Sequence, residues 1–259
     1  MARLLEFLAL PAAPVIAIVG AGGKTTTMYT LAHELVEQGA CVVTTTTTHI
    51  ALPRPAETCR LLVDSDLPRL LKQLRAGWRD CRHITVAHAL VADHKLQGIP
   101  PEQPILLRQS GGADVVIVEA DGARHLKIKA PGAYEPVLPT QVSVVLLLLS
   151  AQALNQPLSS EIAHRPEILA NLTGIASGDL LTPTVVARLL LHPQGGLKQI
   201  PEHAAVYVLV THATPERLAA VAQLGQLLQA TARITALYAA EQPGVWQRTE
   251  ASADRPAPG

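Results

Sequence analysis

The stretch VIAIVGAGGKTTTMYTLAHELVEQGACVVTTTTTHI, Val15 to Ile50, constrains this chain more than any other. A β-rich run, Val15 to Val19, leads at once into glycines and then into a helical pattern from Lys24 to Gln38, which Gly39 can cap at its carboxyl end. The β-branched residues that follow predict a strand from about Cys41 to Thr46, parallel to the first if the crossover is helical. A βαβ unit is therefore complete by residue 50. A glycine-rich turn between strand and helix points several backbone N–H groups into one concavity, and the helix dipole adds positive potential there. Phosphate oxygens are the natural occupant.

The turn is not a full-length phosphate loop. That loop reads G-x-x-x-x-G-K-[ST], whereas counting back five residues from Gly23 lands on Ile18. The segment GAGGKTT instead resembles the shortened loop, G-x-x-G-K-T-T, of the Mur ligases and other nucleotide-binding proteins, in which the same strand, turn and helix hold an adenine nucleotide. On this reading Gly20, Ala21, Gly22, Gly23, Lys24, Thr25 and Thr26 form the nucleotide-binding loop, Lys24 reaches the β and γ phosphates, and the Thr25 hydroxyl is a ligand of Mg²⁺. The competing account is a tight strand-to-helix turn with an exposed lysine.

At 259 residues the chain can bury one sizeable core, and a single domain over residues 1–240 is expected, with a helical insert at about 155–200 and a frayed C-terminal extension over 241–259. Lys+Arg and Asp+Glu both total 21, so no net field draws the chain to nucleic acid or to an anionic membrane. The three cysteines, Cys41, Cys59 and Cys81, form no C-x-x-C pair, which argues against a disulfide framework or a cysteine zinc site and for a reducing, cytoplasmic setting. Cys41 reads as an inert core residue, with Cys59 and Cys81 as candidate thiolates. The apolar N-terminus does not read as a signal peptide, because Glu6 interrupts it. The longest uncharged apolar run, Val142 to Ser150, falls well short of the ~20 residues of a membrane helix and reads as a buried strand.

Beyond the βαβ unit the alternation continues. Strands are expected at Leu61 to Val63, His83 to Ala87, Asp114 to Val118, Val142 to Leu149, Ala204 to Thr211 and Arg233 to Tyr238. Helices are expected from about Asp66 to Ala76, at Pro166 with Gly174 as its stop, at Thr182-Pro183 as cap and first residue, and from Thr214-Pro215-Glu216. The run KLQGIPPEQ, Lys95 to Gln103, reads as a turn feeding a short helix. The fold class is α/β, a P-loop NTPase-like, doubly wound, mostly parallel sheet with a small helical insert.

The strongest core strand ends in VEADGA, where phosphoryl-transfer proteins place a carboxylate that holds the metal or orients water. Glu119 and Asp121 are therefore candidates for catalysis and for the metal. Arg124, Lys127 and Lys129 follow directly and could hold an anionic substrate or developing charge, although a solvated loop explains them equally well. Thr46, Thr47 and Thr48 end a strand beside the loop, where they could face the γ-phosphate or serve the strand alone; His49 is placed with them. His164 and Arg165 precede the helix start at Pro166, which by itself accounts for the motif HRPE. After the strand AVYVLV the chain reads Thr211-His212-Ala213-Thr214, without the lysine and aspartate of the N-K-x-D guanine-reading motif, so ATP is expected over GTP.

With VGAGGKTT, TTTTTHI, KLQGIPPE, VEADGARHLKIKAP, YEPVLP, HRPEI and RLLLHPQGGLK appearing in order over roughly residues 15–215, the sequence resembles the selenium-dependent molybdenum hydroxylase accessory proteins, the YqeC-type selenium cofactor biosynthesis family. The resemblance implies a nucleotide-binding protein, an Mg²⁺-dependent NTPase in the maturation of molybdenum hydroxylases or a selenium cofactor, with such a hydroxylase or its cofactor as partner. It also places Glu119, Asp121, Arg124, Lys127, Lys129, His164 and Arg165 inside family motifs. Members often read NKAD where this chain reads THAT, so no guanine preference is carried over. Two other readings stand beside this one: a nucleotide-switched chaperone that delivers a cofactor to its client, and a Mur-like ATP-dependent ligase, for which no separate carboxyl-terminal domain is evident.

Overall fold

The computed structural model describes residues 2–92, 94–242 and 244–248. The strands in chain order are β1 (Val15–Gly20), β2 (Val42–Thr46), β3 (His49–Ala51), β4 (Arg60–Val63), β5 (His83–Ala87), β6 (Ala89–Val91), β7 (Lys95–Gln97), β8 (Val115–Glu119), β9 (Ile128–Lys129), β10 (Val144–Ser150), β11 (Ala163–His164), β12 (Ala205–Thr211), β13 (Ala236–Ala240) and β14 (Trp246–Arg248). The helices are α1 (Lys24–Glu37), α2 (Leu67–Gly77), α3 (Gln103–Gln109), α4 (Pro166–Thr173), α5 (Pro183–Leu191) and α6 (Leu218–Gln229).

Nine strands form one sheet in the order β14-β13-β12-β10-β1-β8-β2-β5-β4, parallel throughout except for the β13–β14 pair. This is the doubly wound α/β sheet expected from the alternation of strands and helices. β1 lies at its centre, and all six of its residues are buried. Period-2 alternation splits them between two layers: Ile16 and Ile18 pack with Met28, Leu31 and Leu35 of α1, whereas Ala17 and Val19 pack on the opposite face with Leu169, Leu189 and Leu224 of α4, α5 and α6. β10 repeats the division, with Leu146 and Leu148 on the α1 side and Leu147 and Leu149 on the other. A core buried on both faces is why these strands read as continuous apolar runs.

Local signals act where the sequence places them. Asp66 caps α2 by accepting from the Arg69 amide, Thr182 caps α5 by accepting from the Val185 amide, and Gly39 follows α1 in the left-handed region at φ 91°. Long-range pairing produces the departures. Lys95–Gln97 is the middle strand of a small β3-β7-β6 sheet rather than a turn. The insert is not purely helical, since its β11 pairs in parallel with β9 in the segment after β8. The last parallel strand covers Ala236–Ala240, later than expected. Trp246–Arg248, read as the beginning of a frayed extension, instead adds the antiparallel edge strand, while residues 249–259 lie outside the described residues.

The cysteine expectation is overturned. Cys59 and Cys81 are joined in a disulfide with Cα atoms 6.0 Å apart, because the parallel β4–β5 register sets Arg60 against Ile84 and draws the two strand entrances together. Cys41 is half-buried just ahead of β2, and burial followed by the nearby Asp114 carboxylate pushes its thiol pKa up, away from reactivity. Among the described residues no helix is long and apolar enough to cross a membrane.

Candidate active site

The carboxyl ends of β1, β2, β8, β10, β12 and β13 share one edge of the parallel sheet, the place where α/β sheets bind ligands. At the end of β1 the chain turns through Gly20 and Gly22 in the left-handed region, with φ 97° and 79°. Both must be glycine. A Cβ on Gly20 would lie 2.2 Å from the Leu148 carbonyl oxygen, and one on Gly22 would lie 2.6 Å from the Ser150 amide nitrogen.

The loop's amides divide into two sets. Gly20 N–H donates to Asp121 Oδ2 (3.0 Å), Ala21 N–H to the Leu148 carbonyl (2.9 Å) and Gly22 N–H to the Leu126 carbonyl (3.1 Å), while the Thr211 hydroxyl donates to the Gly22 carbonyl (2.6 Å). These bonds fix the turn against β8, β10 and β12. The N–H groups of Gly23, Lys24, Thr25 and Thr26 have no acceptor among the described residues, as befits the first turn of a helix. Gly23 and Thr26 are exposed, so this open set faces solvent.

Lys24 is buried rather than exposed, at 5%. Its Nζ donates to the Gly20 carbonyl (2.9 Å) and lies 3.3 Å from Asp121 Oδ1 and 3.7 Å from Glu119 Oε1. The Thr25 hydroxyl donates to Glu119 Oε2 (2.7 Å). Burial raises the Glu119 pKa, against the pull of Lys24 and the Thr25 hydrogen bond. Loop lysine, helix-start threonine and both carboxylates thus occupy one small volume, as the sequence predicted.

The ion pairs continue away from the loop. Lys129, buried at 7%, donates to the Gly122 carbonyl (2.6 Å) and reaches Asp121 Oδ2 (2.9 Å) and Glu135 Oε2 (2.6 Å). Glu135 in turn accepts both guanidinium nitrogens of Arg165, at 2.7 and 3.0 Å. Burial alone would raise the Glu135 carboxyl, but Arg165 and Lys129 outweigh it and hold the pKa at about 2. A chain of alternating charge, Lys24–Asp121–Lys129–Glu135–Arg165, therefore connects the loop after β1 to the residue that caps the start of the insert helix α4. His164, beside it, is held neutral to lower pH by burial and then by Arg165 and Lys129.

Other predicted site residues stand apart. The Thr46 hydroxyl donates to the Glu119 backbone carbonyl (2.7 Å) and the Thr47 hydroxyl to the Val137 carbonyl (2.6 Å), so both brace the strand ends around the carboxylates. Thr48 donates its amide to Thr46 Oγ1 (3.0 Å). His49 is exposed on the small β3-β7-β6 sheet. Arg124 is exposed with φ 50° and has no hydrogen bond or ion pair among the described residues. Lys127 is half-buried, and its charge joins burial in lowering the His212 pKa.

Sequence reasoning assigned no role to Glu135 or Lys198. Lys198 Nζ donates to the Gly132 and Ala133 carbonyls (2.5 and 2.9 Å) and so ties the insert to the Glu135 loop. Both lie in quoted motifs, YEPVLP and RLLLHPQGGLK, yet nothing in local spacing says what they meet. Also missed was a small cavity of about 70 Å³ beside the first turns of α1, walled by the loops after β12 and β13.

Comparison with known proteins places this geometry in context. The family model described as YqeC protein matches residues 16–167. Uncharacterized protein YqeC from Escherichia coli (strain K12) is 35% identical over 191 residues, covering 73% of this chain and 72% of that one. Among solved structures, FtsY from Mycoplasma mycoides aligns with a TM-score of 0.37 at 10% identity, over 91% of this chain and 63% of that chain.

Proposed function

The chain belongs to the YqeC family, and from that premise we propose that it binds a nucleoside triphosphate with Mg²⁺ and catalyses phosphoryl transfer or hydrolysis. One observation carries this reading: four unpaired N–H groups at Gly23–Thr26 surround the start of α1 beside a buried lysine and a Thr–Glu pair. Phosphate oxygens satisfy those donors, and the helix terminus favours their charge. Lys24, now held by Gly20 and the carboxylates, supplies the cation that the β and γ phosphates require.

Among the described residues no cluster of three or more His, Cys, Asp or Glu side chains could hold a metal alone. Thr25 and Glu119 nevertheless suit Mg²⁺, which is held through one or two protein oxygens together with waters and substrate phosphates. The ion would neutralise charge on the transferring phosphoryl group. Asp121 is bonded to Gly20 N–H and Lys129, which suits it to fixing the loop and to facing Lys24. Arg124, exposed and without a hydrogen bond or ion pair among the described residues, follows the carboxylates closely enough in sequence to serve the acceptor side.

We propose further that this chemistry serves the maturation of selenium-dependent molybdenum hydroxylases, as the family motifs imply. The charge chain to Arg165 favours a second, related reading, a nucleotide-governed switch. Phosphates that capture Lys24 remove one of Asp121's cations, and the change is passed through Lys129 and Glu135 to α4. A hydrolysis rate that rises only when a purified molybdenum hydroxylase is added supports the switch, whereas a client-independent rate with a phosphorylated product supports an enzyme acting alone.

Calorimetric titration with Mg²⁺–ATP and Mg²⁺–GTP tests the binding reading. Lys24→Ala is expected to abolish binding while retaining a native circular dichroism spectrum, because Lys129 still compensates Asp121 and Glu119 can take up a proton. Unchanged affinity in the variant overturns it.

A further inference from the structure

Soon after β8 the chain makes a tight turn against the loop after β1. Leu126 N–H donates back to the Ala123 carbonyl (2.9 Å), which makes Arg124 and His125 the central pair of a four-residue turn. Both are left-handed, at φ 50° and 61°, the φ pattern of a type I′ turn. Asn and Gly fill such pairs readily, whereas longer side chains incur strain there. Keeping Arg and His at these positions departs from local preference, and departures of this kind concentrate at functional sites.

The turn is braced from three directions, so the strain is held in place. The Leu126 carbonyl accepts from Gly22 N–H (3.1 Å), the Lys127 carbonyl from Ser150 N–H (2.8 Å) at the end of β10, and Lys127 N–H donates to the Ile162 carbonyl (3.0 Å) of the insert. The side chains are not committed in the same way. Arg124 and His125 are exposed and Lys127 is half-buried, and none of the three has a hydrogen bond or ion pair among the described residues.

No neighbouring carboxylate is free to answer these cations. Glu119 is engaged by Thr25 and Lys24, Asp121 by Lys24 and Lys129, and Glu135 by Lys129 and Arg165. The surroundings are positive instead. Burial, then Arg165 and Lys129, and finally Arg124 lower the His164 pKa, while burial, then Lys127 and Arg217, lower that of His212. Arg124 and Lys127 are thus cations in a positive rim, and an oxyanion is the group that satisfies them.

The nucleotide's own phosphates have a different seat. They suit the open amides of Gly23–Thr26 at the start of α1, whereas the turn bonds Gly22 and the insert, and the charge of Arg124 is felt at His164 in β11. We propose that the turn from Arg124 to Lys127 is an anion subsite for the second substrate, a molecule bearing a carboxylate or phosphate that Arg124 and Lys127 hold. The proposal rests on the nucleotide-binding reading above and gives the acceptor its chemical class.

Calorimetric titration of inorganic phosphate into the full chain, saturated with Mg²⁺ and a non-hydrolysable ATP analogue that fills the γ-phosphate position, tests it. Wild type is expected to bind phosphate with an affinity that falls as salt is raised. Arg124→Asn and Lys127→Gln are each expected to weaken phosphate binding by roughly 10-fold, the loss of one charge-assisted hydrogen bond, with the affinity for the analogue unchanged. Arg124→Asn should also unfold at a higher temperature than wild type, because asparagine suits the left-handed position. Absence of phosphate binding to the wild-type complex, or equal binding by both variants, overturns the subsite and leaves nucleotide binding intact. A loss of analogue affinity in the variants assigns the cations to the nucleotide and overturns the second anion. A lower unfolding temperature for Arg124→Asn overturns the view that arginine is kept there at the expense of stability. Failure of the analogue to bind wild type overturns the nucleotide reading itself.

Discussion

Lys129 shows how one buried cation can organise several segments. Its ammonium has three donors, and the three oxygens it meets come from Gly122, Asp121 and Glu135. The first two belong to the turn after β8, and the third holds the guanidinium of Arg165 in the insert. Removing the charge while keeping the length, as in Lys129→Met, leaves Asp121 and Glu135 buried with fewer partners. A broken buried pair of this kind costs about 3–5 kcal/mol, so the urea midpoint of Lys129→Met should fall accordingly. Because Lys129 also supports Asp121, which fixes Gly20 N–H (3.0 Å), nucleotide affinity should weaken in the same variant. A stability loss without an affinity loss would confine Lys129 to the scaffold and remove it from the switch. Lys24 is the opposite case: its neighbours have other ways to be satisfied, and its loss should be felt in binding first.

The turn after β1 and the turn after α1 both place glycine in the left-handed region, yet they should respond differently to a methyl group. Gly39→Ala, with φ 91° and nothing within 4 Å of the added Cβ, incurs conformational strain alone, about 1–2 kcal/mol. Gly20→Ala adds a contact at 2.2 Å with the Leu148 carbonyl, which sits in the central strand β10 and cannot retreat, so it should lose several times as much or fail to fold. Equal thermal shifts in the two variants would contradict the rigid-loop account. The same contrast explains what could be read in advance. The elements around β1, α1, β2, β8 and β10 were legible because their signals are local: apolar runs, a glycine-rich turn, a helix stop. Lys24, Thr25, Glu119 and Asp121 came with them, since strand ends on a parallel sheet converge. Strands as short as β9 and β11, two residues each, carry no periodicity, and the Cys59–Cys81 bond depends on strand register rather than on spacing. Glu135 acquires meaning only from Lys129 and Arg165, the second of which lies 30 residues on in the insert.

The molecule as a whole carries no net charge, so the pH dependence of its stability should follow from a few groups whose titration the fold alters. His83, buried between β2 and the α1 layer, hydrogen-bonds Thr44 Oγ1 (3.0 Å), and burial lowers its pKa from 6.5 to about 4, with His33 adding to the shift. An unfolded imidazole takes its proton near 6.5 while the folded one waits until about 4, so the unfolded state binds more protons in this window. Stability is therefore full above pH 6.5 and declines as pH falls toward 4, by up to about 3 kcal/mol. Glu135 acts lower, since its folded pKa of about 2 lies below the ordinary 4.5: its contribution is complete above 4.5 and is lost as pH drops toward 2. Urea unfolding measured at pH 7, 5 and 3 should accordingly show two separable losses. His83→Gln, which keeps a polar side chain beside Thr44 but does not titrate, should flatten the loss between pH 6.5 and 4 and leave the lower one in place. If the upper loss persists in that variant, His83 is not its source.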